Sequence, residues 1–278
     1  MAKPYLHNVY GYTLSHDAAE PALLPGMHAE CEDCHNPHAA TSTAASAPYA
    51  NGFLHGVRGV NQLGSPVDPL IYEYELCYRC HADSPLKPAS TTLRQIEQNN
   101  VRIEFDITGP SFHPVTGPGR NPDSPSLIAP LYTETSIIYC TDCHAGNGAG
   151  APAGPHGSVY PSILKYRYEK TDYTAESASA FELCYSCHSR ASILGDNSFR
   201  YHNRHIVEEN TPCNVCHDPH GISSSQGNST NNSHLINFDR GIVSTTGSGF
   251  LRFVDTGINS GYCLLRCHGK VHSYSMTY

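Results

Sequence analysis

Twelve cysteines arranged in six close pairs constrain this chain more than any other feature. A histidine follows each pair directly, which gives five CxxCH motifs and one expanded CxxxCH motif. The pairs are Cys31/Cys34, Cys77/Cys80, Cys140/Cys143, Cys184/Cys187, Cys213/Cys216 and Cys263/Cys267, and no cysteine is left over. The histidines that follow them are His35, His81, His144, His188, His217 and His268.

Three common uses of paired cysteines do not account for the trailing histidine. Cysteines so close together on a helical turn are poor disulfide partners. Structural zinc sites do not need a histidine directly after each pair. Thioredoxin-like redox chemistry uses a single CxxC motif. What remains is c-type haem attachment, in which two thiols bond to one haem and the next residue presents an imidazole to the iron.

The sequence therefore predicts six c-type haems, and this cofactor also explains the composition. Only 39% of the residues are hydrophobic, tryptophan is absent, and the chain contains 23 glycines and 20 prolines. Haem faces supply the apolar interior that aliphatic side chains would otherwise build. We expect a mostly irregular (coil) chain with short α-helices at the haem motifs and minimal β structure, a haem-organised multihaem cytochrome c.

The same pattern gives the expected organisation along the chain. Residues 1–278 are predicted to form one hexahaem domain, with residues 1–27 as an N-terminal arm. Alternating or β-branched residues in the segments 99–107 and 235–254 predict a short hairpin.

Several classes of function are disfavoured. No apolar run approaches the roughly 18 to 20 residues that span a bilayer, so we expect no membrane span. The formal net charge is −8, without a cluster of lysines and arginines, so nucleic acid is not expected as a partner. The first residues lack the apolar stretch of a secretory signal. Because c-type haem is attached outside the cytoplasm, we expect an exported chain that has already lost its signal.

The second axial ligand of each iron is predicted to be histidine. Twelve histidines remain beyond those in the motifs, whereas the only methionines are Met1, Met27 and Met276. Bis-histidine ligation throughout is therefore the simplest arrangement, and such irons lie at lower potential than methionine-ligated ones. A saturated iron offers no place for a substrate.

The spacing of some histidines shows which iron they do not serve. His38 and His220 each follow the histidine of their own motif by three residues. A residue at that spacing lies on the same side of the haem as the proximal ligand, so it must serve a different haem. His272, four residues after the last motif, is expected to act likewise.

The shortest gap between motifs predicts a tight pair of haems. It separates Cys184 from Cys213 and contains His202 and His205. Of these two, His205 is preferred as a ligand.

Other histidines are assigned from their neighbours in sequence. His113 and His156 lie beside proline or glycine in loops, where a fixed turn can aim an imidazole at a haem. His7, His16 and His55 are expected at the surface, unless the N-terminal arm docks on another chain. The predicted distal ligands are thus His38, His113, His156, His205, His220 and His272, with His28 and His234 in reserve.

The motifs resemble those of the multihaem c-type cytochromes of metal-respiring bacteria. The stretch from Ala29 to His38, AECEDCHNPH, is similar to the first motif of the hexahaem outer-surface cytochromes that polymerise into extracellular filaments. The resemblance implies that His38 crosses to a neighbouring subunit and ligates a haem there. It also implies secretion to the cell surface, with further copies of the chain and donor and acceptor redox proteins as partners.

Electron transfer without catalysis is the function that these features favour. A filament subunit is the first interpretation, and a discrete periplasmic or outer-membrane carrier is the alternative. A multihaem reductase of nitrite, hydroxylamine or a sulfur oxyanion is the alternative from another class. Such an enzyme needs one five-coordinate iron with proton donors beside it. Since every motif ends in histidine and spare imidazoles are abundant, we expect no enzyme.

Overall fold

Short turns at the cysteine motifs are the main regular structure of this chain. A computed structural model describes residues 3–9, 28–85 and 87–278. Most of these residues lie in coil, turns and bends, and the helices and strands are few and short. The expected haem-organised, mostly irregular fold is confirmed. Most of the arm 1–27, with His16, Met1 and Met27, lies outside the described residues.

The helices fall largely on the motifs. They are α1 (Cys31–Cys34), α2 (Glu73–His81), α3 (Val101–Glu104), α4 (Cys140–Cys143), α5 (Glu182–Tyr185) and α6 (Arg190–Leu194). Short 3-10 turns cover Gly52–Leu54, Pro161–Ile163, Cys213–Val215 and Ser233–Leu235, and a π-helical turn covers Arg204–Glu208. No helix of the described segments is long and apolar enough to cross a membrane.

The strands form two small antiparallel sheets. They are β1 (Gly59–Val60), β2 (Pro66–Val67), β3 (Arg252–Gly257), β4 (Ser260–Cys267) and β5 (Lys270–His272). Strand β1 pairs with β2, and the second sheet has the order β3-β4-β5. In the second sheet Phe253 lies opposite Cys263, and Leu265 lies opposite His272.

Acidic residues inside or just before the motifs start three of the helices. Asp33 and Asp142 stand between the cysteines of their motifs, and Glu75 precedes Cys77 by two residues. Each carboxylate accepts a hydrogen bond from the backbone amide three residues earlier, at 2.8 to 3.0 Å. Such a bond satisfies one of the free amides of a helix start. The motif sequence thus helps to fold its own turn.

Two expectations about local structure are wrong. The sixth motif, Cys263 to Cys267, lies on strand β4 and not on a helix. The segment 99–107 forms α3 instead of a hairpin strand, because the Asn100 side chain accepts a hydrogen bond from the Arg102 amide and caps a helix there. Strand β3, which includes residues 252–254, pairs with β4 and not with that segment.

In the part of the chain that the structure describes, apolar packing is divided among four small clusters rather than one core. The largest of these clusters of buried side chains contains Tyr74, Tyr78 and Phe105, and another contains Val215, Phe238 and Leu265. Motif cysteines pack against three of the four clusters: Cys140, Cys213, Cys216, Cys263 and Cys267. The protein interior is therefore organised around the motifs.

Buried ion pairs connect segments that the small clusters do not hold together. Arg79 of the second motif donates to the Asp33 carbonyl of the first at 2.7 Å, and its guanidinium lies 3.3 Å from the Asp33 carboxylate. Farther along, Arg94 donates to the carbonyls of Asn214 and Asn237 at 2.6 and 2.9 Å. Its guanidinium also lies 3.4 Å from the Asp218 carboxylate.

Removal of Arg94 is expected to destabilise the fold strongly. Arg94→Ala leaves two carbonyls without a donor and a buried Asp218 without its cation, and loss of one partner of a buried pair costs about 3 to 5 kcal/mol. The free energy of unfolding from guanidinium denaturation measures this cost. Arg200→Ala, at an exposed position, is the matched control. A loss equal to that of the control would show that Arg94 does not join these segments.

Candidate haem sites

A shared turn puts the thiols and the imidazole of a motif together. In four motifs the amide of the trailing histidine donates to the carbonyl of the first cysteine, at 2.9 to 3.0 Å. These histidines are His35, His144, His188 and His217. In the second motif both cysteines and His81 lie within α2. Residues one turn apart project from the same side, so each of these five motifs presents two thiols and a ring to one ligand.

Hydrogen bonds at Nδ1 orient seven of the imidazoles. A ring whose Nδ1 donates to an oxygen keeps Nε2 for a metal, which is the usual arrangement of metal-binding histidines. Backbone carbonyls accept from His35 (Phe53, 3.1 Å), His144 (Ser162, 2.8 Å), His205 (Tyr201, 2.6 Å), His217 (His234, 2.8 Å) and His113 (Pro219). The Ser126 hydroxyl pairs with His188 at 2.9 Å, and the Glu104 carboxylate accepts from His220 at 2.9 Å.

The imidazoles come in facing pairs. Metal–imidazole bonds are about 2 Å long, so two imidazoles on opposite sides of one metal have ring centres roughly 6 Å apart. Among the described residues five pairs of rings have this spacing: His35–His156 at 5.9 Å, His7–His81 at 6.0 Å, His144–His220 and His205–His272 at 6.1 Å, and His202–His217 at 6.4 Å.

The remaining motif histidine on a helical turn, His188, also has other imidazoles near it. Burial lowers the pKa of His188 to about 4, and the next largest cause is the neighbouring imidazole of His113. Burial also lowers the pKa of His81, His144 and His217 to about 4. These four rings are neutral at pH 7, the form in which an imidazole binds a metal.

Contacts between thiols place the motifs in a row in sequence order. Burial and then the thiols of Cys77 and Cys80 raise the pKa of Cys34 to about 12. Burial and then Cys187 raise the pKa of Cys143 to about 12. The thiols of the first and second motifs, and those of the third and fourth, therefore lie near enough to affect one another electrostatically.

The other steps of the row use direct hydrogen bonds or the same kind of contact. A hydrogen bond to Cys77 is the largest cause that raises the pKa of Cys140, and one to Cys213 does the same for Cys184. At the last step burial, and then Cys263 and Cys267, raise the pKa of Cys216. From the third to the fifth, each motif thus faces one neighbour with its first cysteine and the other neighbour with its second.

The structure brings together most, but not all, of the predicted distal ligands. His113, His156, His205, His220 and His272 each lie beside another histidine, as described above. His38 is exposed on the loop after the first motif, and His28 is partly buried. His234 is exposed, and its backbone carbonyl, not its ring, contacts the site through His217.

Two histidines outside the predicted set take part in pairs. His7, expected at the surface, faces His81, and His202, passed over for His205, faces His217. His7 is placed by backbone pairing between Tyr5 and Ser158, which has no signature in the sequence. By contrast His55 is exposed.

This donor set fits covalent haem. Two thiols and a nearby imidazole are the groups that c-type haem requires, and the rings of His81, His144, His188 and His217 are neutral at pH 7. When bound, the group supplies a one-electron redox centre, while the side chains described here hold it, orient it and shield it from water.

Comparison with known proteins supports this cofactor. Residues 132–192, which contain the third and fourth motifs, match the family described as doubled CXXCH motif. No curated protein and no solved structure matches the chain. The match is consistent with a multihaem c-type cytochrome that transfers electrons, and the motifs indicate covalently bound c-type haem.

The Glu104 carboxylate is expected to lower the potential of one haem. It is 5% exposed and is the only carboxylate that accepts from the Nδ1 of a paired histidine within residues 3–9, 28–85 and 87–278. A negative acceptor makes the imidazole more basic and favours the oxidised iron. Glu104→Gln should raise one midpoint potential by about 60 mV, a tenfold change in a one-electron equilibrium. Spectroelectrochemical titration measures it, with the exposed Glu208→Gln as control; identical titrations of both variants would refute it.

Proposed function

We propose that this chain passes electrons along a row of six covalently bound c-type haems, one at each motif, each ligated by two histidines. The observation that carries the proposal is the set of facing imidazoles, with ring centres 5.9 to 6.4 Å apart. The contacts between successive motifs support a continuous row that follows the chain from the first motif to the sixth.

Short steps between neighbouring sites suit electron transfer. At two steps the cysteines of successive motifs are within hydrogen-bond distance, so the groups that they anchor lie side by side. Burial lowers the pKa of His81, His144, His188 and His217 to about 4, so these rings are neutral at pH 7 and take up no proton there. No proton donor is required at any step. The side chains therefore act by holding the redox groups in place and by excluding water from them.

A multihaem reductase is the second candidate function, and the pairs of facing imidazoles argue against it. An iron with an imidazole on each side has no free position for nitrite, hydroxylamine or a sulfur oxyanion. The proposal therefore excludes catalysis at these sites.

The number and spin state of the haems test this proposal. The mature protein should gain six haem masses by intact mass spectrometry, and its ferric electron paramagnetic resonance spectrum should be entirely low-spin. A high-spin signal from about one haem in six would instead favour a reductase. Fewer than six haems would refute the complete row.

We propose that copies of this chain assemble into an extracellular filament that carries electrons along their rows of haems. The resemblance of the first motif to filament-forming cytochromes supports this, as does His38, exposed beside the first motif. The Asn36 side chain accepts from the His38 amide at 3.0 Å and fixes the loop that presents it. A second copy of the chain that docks at this loop would bring its own row of haems next to the first motif.

Electron microscopy of protein sheared from the cell surface tests the filament. We expect long, regular fibres that mass spectrometry assigns to this chain. His38→Ala should abolish the fibres, whereas His55→Ala, a change at another exposed histidine, should leave them intact. Discrete particles from the unmodified chain would make it a carrier, in the periplasm or at the outer membrane.

A further inference from the structure

Glu73 is a buried acid at the junction of the second and third motifs. It is the first residue of α2, the helix that carries Cys77 and Cys80 of the second motif. Only 4% of its surface is exposed. Acidic side chains are almost never buried this completely unless a partner compensates their charge. The groups that surround the Glu73 carboxylate therefore decide which form of it is stable.

Thr141 of the third motif contacts both oxygens of the Glu73 carboxylate. It stands between Cys140 and Cys143 in the sequence. The Thr141 hydroxyl lies 3.0 Å from each oxygen, and the Thr141 amide donates to Glu73 Oε1 at 3.1 Å. A hydroxyl has a single proton, so it donates to one of the two oxygens at a time. The carboxylate thus joins the second motif to the third through neutral donors.

No cation compensates the charge of this carboxylate. Among the residues that the structure describes, no lysine or arginine contributes to the pKa of Glu73, and the one charged group that does so is another acid, Asp142. On its other side, the Pro48 carbonyl accepts from the Glu73 amide at 2.9 Å. The negative form of Glu73 therefore lies close to a second negative group and to neutral backbone.

The other titratable groups beside Glu73 are also acidic or neutral. Burial and then the Glu73 charge raise the pKa of Tyr139, which directly precedes the third motif. A hydrogen bond to Cys77 and then burial raise the pKa of Cys140, and the Glu73 charge raises it further. On the same helix, Glu75 accepts from the Tyr72 amide at 3.0 Å. None of these groups stabilises the ionised carboxylate.

Burial is the largest cause that raises the pKa of Glu73, to about 7. Hydrogen bonds from Thr141 lower the pKa, but they do not offset burial, and the Asp142 charge raises it further. A carboxyl group with such a pKa is about half protonated at neutral pH. A modest change in the charge nearby therefore changes its protonation.

The carboxylate lies where the anchors of two haems meet. Cys77 and Cys140 are within hydrogen-bond distance of each other. Cys140 directly precedes Thr141, and the Cys77 Sγ lies 4.0 Å from the Glu73 carbonyl oxygen. Since charges interact more strongly in a buried environment than in water, a change in charge at either haem acts on Glu73.

We propose that Glu73 takes up a proton when the second or the third haem is reduced, and releases it when that haem is oxidised. One electron arrives from a neighbouring haem of the row and one proton from the solvent. Ferric iron becomes ferrous as the carboxylate becomes a carboxylic acid, so the net charge at the junction does not change. The inference rests on the proposed function, because it requires a haem at each of these two motifs.

The pH dependence of the midpoint potentials tests this inference in the holoprotein. Reduction removes one positive charge and so favours the protonated carboxyl group. A unit charge about 10 Å from a buried acid changes its proton affinity roughly tenfold. One midpoint should therefore fall by about 59 mV as pH rises through the pKa of Glu73, since this is a tenfold change in a one-electron equilibrium. Spectroelectrochemical titration at a series of pH values measures the fall.

Glu73→Gln is the first variant. Glutamine keeps the size of the side chain and an oxygen that accepts from Thr141, but it does not titrate. Its midpoint should therefore stay at the value that the unmodified protein reaches at low pH. Glu208→Gln, at an exposed position, is the matched control and should titrate like the unmodified protein. The same pH dependence in both variants would assign the proton to another group and overturn the inference.

Two further measurements keep the inference testable if Glu73→Gln does not fold. Thr141→Val removes a donor to the carboxylate and so raises the pKa of Glu73. The fall in midpoint should then move to higher pH, whereas Thr135→Val, at an exposed threonine, should leave it in place. An unchanged position in Thr141→Val would contradict the proposal.

Infrared difference spectra of the unmodified protein detect the proton directly. Reduction at pH 7 should produce the carbonyl band of a protonated carboxyl group, and this band should shift in deuterated water. A spectrum without such a band would show that no carboxyl group takes up a proton on reduction.

Peptide mapping of the unmodified protein separates this inference from the proposed function. Haem on the peptides with Cys77 and Cys80 and with Cys140 and Cys143, combined with midpoints that do not change with pH, refutes proton uptake alone and leaves the row intact. If either peptide carries no haem, the six-haem row and the proton uptake both fail.

Discussion

Two imidazoles that face each other about 6 Å apart are the unit on which this structure depends. Five of the motifs supply one ring each on a helical turn, and the second ring comes from another part of the chain. Burial keeps the pKa of His144 and His217 near 4, so no proton competes for the ring nitrogen. Hydrogen bonds at Nδ1 then fix the orientation. The sites are thus prepared by the polypeptide itself.

A metal bound between the two rings of a pair would connect distant parts of the chain. His156, which follows the third motif, faces the first, and His220, which follows the fifth, faces the third. The two rings of each of these two pairs are far apart in sequence. A metal bound between them would act as a cross-link that closes a long loop, and such a cross-link stabilises the fold by lowering the entropy of the unfolded chain. Because the apolar clusters are small and separate, these pairs and the buried Arg79 and Arg94 contacts connect them. The residues that form the sites are therefore also residues that connect the segments of the fold.

The sequence predicts the cysteines and the mostly irregular fold from chemistry alone, since the spacing of thiols and histidine within one turn is local. It also excludes His220 from its own motif, because residues three apart share a side. It misses His7 and His202, because their positions depend on the Tyr5–Ser158 pairing and on the turn that precedes Arg204–Glu208. Local rules fail at the sixth motif for a similar reason: pairing of β4 with two strands overrides the helical turn.

If every iron has the same two ligands, differences in redox potential between the sites come from the groups that surround those ligands. A carbonyl accepts from the Nδ1 of His35, His144, His205 and His217, a hydroxyl pairs with His188, and a carboxylate accepts from His220. A stronger acceptor makes the imidazole more basic and stabilises the oxidised iron. Since His220 faces the third motif, the most basic ligand of the row lies in its interior and not at an end. The energy profile for electrons is therefore shaped by residues such as Glu104, which no motif contains.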